Sequence, residues 1–157
     1  MTTLWRISNY IDLSGEGGRG FSARWHSEGR LIVYLADCPA SAMLERIVHL
    51  FDMDLEEDRD LPRNYQLLRI TVPDEVAIKQ LNTLAPTDWK EHIEFTQQIG
   101  NAWLASLETP LARVPSVIAP QTWNYLLNPE HPDAKKVEVA EVIRERFDNR
   151  LFRFGAR

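Results

Sequence analysis

Residues 20–49 read GFSARWHSEGRLIVYLADCPASAMLERIVH, and this stretch decides the fold. RLIVYLA (30–36) is a continuous apolar run of strand length, which predicts a central strand. Asp37 to Pro39 break it. A helix is then predicted from Ser41 to about Met53, with Leu44, Ile47, Val48 and Phe51 as an i, i+3, i+4, i+7 core-facing stripe. Loop, buried strand and amphipathic helix therefore follow in turn. Each carries one chemically capable side chain: Arg24, Tyr34 and Glu45. A cation, an aromatic face and a carboxylate held by rigid parts suit a phosphate-bearing ligand with a ring and a sugar.

Working outward, residues 3–8 (TLWRIS) read as a first strand and Asp12 to Gly20 as a turn-rich loop. The acidic run DMDLEEDRDLP (52–62) reads as a solvated loop. Tyr65 to Val72 is a strand. Pro73-Asp74-Glu75 resembles a helix start, with acids complementing the dipole. Trp89 to Leu107 predicts a long helix, with Ile93, Phe95, Ile99, Trp103 and Leu107 partly periodic. Ala112 to Ala119 is a strand interrupted by Pro115, suggesting an edge or a bulge. Asn128 to Asp133 is a turn cluster. The tail from Lys135 mixes strand signals (VEVAEVI) with FDNRLFRF. No repeat is evident. Short strands, long loops and irregular alternation indicate α+β: one compact domain over 1–157, with a mixed, mainly antiparallel sheet and flanking helices.

Composition narrows the function classes. The chain has 157 residues, 44% apolar and 26% charged, enough for one full core. A net charge of -5 argues against a general phosphate-backbone binder, though not against a small anion held by one arginine. The single cysteine, Cys38, gives no disulfide framework and fits a reducing compartment. No signal peptide or apolar run of membrane length is present, so the expected location is the cytoplasm.

The motifs are individually weak. Gly15 to Gly20 (GEGGRG) matches G-x-G-x-x-G but is followed by FSARW and a strand, the wrong setting for a dinucleotide fingerprint. Arg24 precedes Trp25 and His26; a surface arginine stacked on a ring is the ordinary reading, and bidentate phosphate recognition the functional one. Arg6, on the first strand, is a second phosphate candidate. Tyr34 by composition is core; otherwise it offers a ring and a hydroxyl. Glu45 lies beside the apolar stripe, where an i, i+4 contact with His49 would be commonplace, but partial burial would fit it to stabilise a sugar cation. Ser116, in VPSVIAP, has no nucleophile elbow around it. The four histidines are scattered, and one cysteine cannot make a thiolate zinc site. The C-terminal arginines (Arg144, Arg146, Arg150, Arg153, Arg157) alternate with acids, as on a salt-bridged surface.

Three blocks in order (LWRIS, then GRGFSARWHSEGRLIVYLADCPASAMLERIVH, then VPSVIAPQTWNYLLNPEHPD) resemble the RES domain, over nearly the whole chain. The central block is the most specific, and departs from the family at His26, where asparagine is usual. The resemblance implies a fold like that of the ADP-ribosyltransferase toxins. It also implies a toxin of a two-gene module, paired with an Xre-family helix-turn-helix antitoxin, which depletes NAD⁺ by splitting its nicotinamide–ribose bond by hydrolysis or phosphorolysis. By position it implies Arg24, Tyr34, Glu45 and Ser116 as catalytic, and Arg6, Arg24, Tyr34 and Asn124 as NAD⁺-binding. NAD⁺ would be the substrate, with no metal or resident cofactor. A homo-oligomer, or a larger complex with the antitoxin, is compatible with the family; direct nucleic-acid or membrane binding is not expected.

Two alternatives stay open. One is an ADP-ribosyltransferase acting on a specific protein. Such enzymes often carry a second acid near the catalytic glutamate, whereas Glu45 is flanked by Met43, Leu44, Arg46 and Ile47, favouring NAD⁺ breakdown. The other is a non-catalytic nucleotide-binding module.

Overall fold

A computed structural model of the chain describes residues 1–52, 62–81 and 88–155. Among the described residues seven strands form one sheet: β1 (Thr2–Ile7), β2 (Val33–Ala36), β3 (Asn64–Val72), β4 (Ile78–Gln80), β5 (Leu111–Pro115), β6 (Trp123–Leu127) and β7 (Glu138–Arg146). Their order is β4-β5-β6-β2-β1-β3-β7, so the apolar run at 33–36 lies at the centre. All neighbours are antiparallel except β4 and β5. The sheet is mixed and mainly antiparallel, as expected. Among the described residues three α-helices accompany it: α1 (Glu16–Arg19), α2 (Pro39–Asp52) and α3 (Ile93–Ser106).

Alternation along the strands sorts side chains onto two faces. One face gathers Leu4, Val33, Leu35, Leu68, Ile70, Leu111 and Leu127, covered by Val76, Ala134 and Val137. The other gathers Ala112, Val114 and Leu126 under Trp103 and Leu104 of α3, with Trp25. Each large side chain so buried contributes about 1.5–3 kcal/mol.

Several expectations change. The 12–20 loop contains one helical turn, α1. Residues 30–32 approach β2 without joining it. Pro73-Asp74-Glu75 starts no helix: the Val76 N–H donates to the Pro73 carbonyl at 3.0 Å, closing a turn that delivers β4. Pro115 ends β5, which is not an edge strand. The long helix begins as a 3-10 turn (Trp89–Glu91) and breaks at His92. Its proposed stripe is exposed at Ile93 and Leu107, while Thr96, Gly100, Trp103 and Leu104 are buried. β6 was not expected at all. The acidic run from 53 to 61 lies outside the described residues. Of the terminal arginines, Arg150 pairs with Asp148, and Arg144 donates to Gln66; Arg157 also lies outside them.

Candidate functional site

Strand register places Tyr34 opposite Leu126, and Ala36 and Val114 opposite Asn124. Tyr34 and Asn124 therefore project from the same sheet face. Glu45 reaches this face from α2. Its Oε1 accepts from Asn124 Nδ2 at 2.8 Å and faces the Ser116 hydroxyl at 3.5 Å. Glu45 makes no bond to His49; it is turned to the sheet. Among the described residues Oε2 has no hydrogen-bond partner. Asn124 Oδ1 is buried with no partner among the described residues. The Asn124 amide orientation is fixed chemically, since Oδ1 could not face a carboxylate.

Ser116 is 5% exposed. Its oxygen accepts from the Ile118 and Ala119 N–H groups at 3.2 and 3.1 Å. Both lone pairs are thus engaged and only the proton is left, aimed at Glu45. The hydroxyl suits an orienting donor and is poorly placed to act as a nucleophile.

Helix α2 turns differently from its apolar stripe. Ala42 and Leu50 are buried, whereas Leu44 and Phe51 are exposed. Ala42, Glu45 and Leu50 share one side, roughly opposite Leu44 and Phe51. A small residue at 42 permits close approach to the sheet, and that approach brings Glu45 to Asn124.

Arg24 is held by a polar grip from α3. Thr96 Oγ1 donates to the Arg24 carbonyl, and Gln97 Nε2 to the Ala23 carbonyl at 2.8 Å. Asn101 accepts from the Ser27 N–H at 3.0 Å and donates to the Ser27 hydroxyl at 2.8 Å. The guanidinium donates through Nη1 to the Lys90 carbonyl at 2.8 Å. Burial lowers its pKa from the ordinary arginine value, and Tyr34 opposes this. No sequence signal marked Thr96, Gln97 and Asn101 as a clamp, because polar residues on a helix ordinarily read as its wet side.

Tyr34 is half-buried. The Trp25 N–H donates to its oxygen at 3.2 Å, and His26 Nδ1 lies 2.8 Å from it. Burial is the main cause that raises the Tyr34 pKa above the ordinary tyrosine value, with the Trp25 N–H and Arg24 opposing. Above about pH 10 an unfolded tyrosine loses its proton while the folded one keeps it, so stability falls as pH rises. Tyr34→Phe should remove that part of the alkaline loss, measurable as a flatter denaturant midpoint between about pH 9 and 11.

Arg6 is not brought into this group. It follows the alternation of buried Leu4 to the opposite sheet face, where Nη1 donates to the Asp12 carbonyl at 3.2 Å. Arg24, Tyr34, Glu45, Ser116 and Asn124 thus belong to one face and Arg6 to the other. Two open concavities of about 550 and 610 Å³, beside His92 and beside Tyr65, border none of them. Among the described residues, no three His, Cys, Asp or Glu side chains are grouped to hold a metal ion, and no helix is long and apolar enough to cross a membrane.

The RES domain family matches residues 3–149, and the chain belongs to that family. A protein of Pseudomonas putida named Toxin Res is 47% identical over 95% of this chain and 99% of its own. The Prs ADP-ribosylating toxin of a Sphingobium species is 38% identical over 97% of this chain and 98% of its own. The fold is similar to a chain in the crystal structure of the M. tuberculosis MbcT–MbcA toxin–antitoxin complex, with a TM-score of 0.67, 21% identity, and coverage of 92% of this chain and 84% of that one.

Proposed function

We propose that this protein is the toxin of a toxin–antitoxin pair and depletes NAD⁺ by cleaving its nicotinamide–ribose bond, by hydrolysis or phosphorolysis. The observation that carries the reading is the Glu45 carboxylate, tethered through one oxygen by Asn124 on the face that holds Tyr34, with its second oxygen unengaged among the described residues. Arg24 grips phosphate. Tyr34 packs against the nicotinamide or its ribose. Glu45 holds the ribose and stabilises the positive charge that develops as the bond breaks. Ser116 orients the carboxylate. Nicotinamide leaves as a neutral molecule, so its departure needs no metal. Water or phosphate then captures the ribosyl cation. An Xre-family antitoxin covering this cleft would silence it.

Nicotinamide release from NAD⁺ by purified, antitoxin-free protein, with and without phosphate, tests the reading and identifies the acceptor. Asn124→Ala should slow release roughly 10–100-fold by freeing Glu45 from a charge-assisted bond. Asn124→Asp should be slower still, because it sets two carboxylates against each other. Equal rates in all three proteins would remove Asn124 from the site.

A second reading, transfer of ADP-ribose to a protein, is favoured by the name of the Sphingobium relative. Labelled NAD⁺ that leaves radioactivity on a cellular protein, without bulk NAD⁺ loss, would select it.

A further inference from the structure

We propose that His26 is a positioning residue that latches the glycine turn onto Tyr34 and commits the Tyr34 hydroxyl to the protein, so that only the ring is offered to the ligand. The proposal rests on the NAD⁺ reading for its substrate.

His26 is wholly buried, with 0% exposure. Its Nε2 lies 2.6 Å from the Gly18 carbonyl oxygen. A carbonyl can only accept, so Nε2 carries the hydrogen. In a neutral imidazole Nδ1 is then a bare acceptor, and the Tyr34 O–H donates to it across 2.8 Å. The same phenolic oxygen accepts from the Trp25 N–H. Its proton is therefore spent inside the protein. Phe21 meets the imidazole edge-on, with centroids 5.7 Å apart.

The turn at the other end has a second attachment. A Cβ on Gly18 would lie 2.7 Å from Ile32 Cγ2 and 2.8 Å from its carbonyl oxygen. Gly18 is thus pressed against the backbone two residues before Tyr34. His26 and Ile32 together tie the turn to the strand that presents the ring.

Amide side chains can separate the two halves of the latch. Asparagine Oδ1 takes the place of histidine Nδ1, and glutamine Nε2 that of histidine Nε2. His26→Asn should keep the acceptor for Tyr34 and lose the donor to Gly18. His26→Gln should do the reverse. Hydrogen–deuterium exchange in the Gly15–Gly20 turn and nicotinamide-release kinetics read the two losses separately. We expect turn exchange to rise about tenfold in His26→Asn, with KM for NAD⁺ changed less than about threefold. In His26→Gln, turn exchange should stay protected while KM rises about tenfold and kcat moves less than about threefold. Nitrogen-15 NMR of the unsubstituted protein should show a neutral ring protonated at Nε2, which decides the arrangement even if a variant fails to fold. Protonation at Nδ1, or the same exchange and kinetic profile in both variants, would overturn the proposal. If the unsubstituted protein releases no nicotinamide, the NAD⁺ reading fails by itself, and exchange and the tautomer still decide the latch.

Discussion

Glu45→Gln should yield a folded protein whose nicotinamide release falls roughly 10³-fold and whose expression no longer arrests growth. The substitution is chosen for what it keeps. A glutamine oxygen still accepts from Asn124 Nδ2 and still faces Ser116, so the tether survives and only the negative charge is lost. If Glu45 acts by charge on a ribosyl cation, removing the charge raises the barrier with little change in ground-state binding, so kcat falls more than KM changes. Glu45→Ala should lose as much activity and also some stability, because Asn124 Nδ2 then loses its carboxylate acceptor. The contrast matters. Equal thermal stability of the parent and Glu45→Gln, with activity lost, assigns the residue to chemistry. Activity retained by a folded Glu45→Gln protein would remove the charge from the mechanism.

The centre of the sheet was legible because LIVYLA (31–36) is a continuous apolar run, as expected of a strand covered on both faces, and its last four residues form β2. Glu45 was legible in place and in its partial burial, but the inward face of its helix was not. The stripe at 44, 47, 48 and 51 assigned the inward face by hydrophobicity, and the helix instead turns Ala42, Glu45 and Leu50 inward. The proposed function gives this conflict a reason: the carboxylate has to reach Asn124, and a small residue lets the helix approach. β6 was missed because Trp123 to Leu127 is half-buried over three of its five residues and carries an asparagine as its second residue. That asparagine is the residue tethering Glu45. Pro73-Asp74-Glu75 misled because proline followed by acids suits a turn as well as a helix start. The departure at His26 was visible as a departure, but its two partners come from a turn and a strand that only folding brings together.

Gly100→Ala should destabilise the protein by about 3 kcal/mol or more. At an ordinary helical position the same change would stabilise by about 1 kcal/mol, since alanine is the better helix former. The sign is reversed here by the neighbour. An added Cβ would lie 1.7 Å from the Trp25 carbonyl oxygen and 2.7 Å from its carbonyl carbon. Both are backbone atoms, so no rotamer change can relieve the overlap; α3 or the 23–27 segment must move. That segment carries Arg24 and is gripped on either side of Gly100 by Thr96, Gln97 and Asn101. A shift large enough to seat the methyl would pull Arg24 away from the face that holds Tyr34 and Glu45. The expected result is a lower melting temperature together with a raised KM for NAD⁺ in whatever fraction folds. Gln97→Ala provides the milder control: it releases one bond without intruding on the backbone, so it should raise KM with little loss of stability. A Gly100→Ala protein as stable as its parent would mean that α3 does not press on the Arg24 segment, and the grip would then be too loose to position its guanidinium.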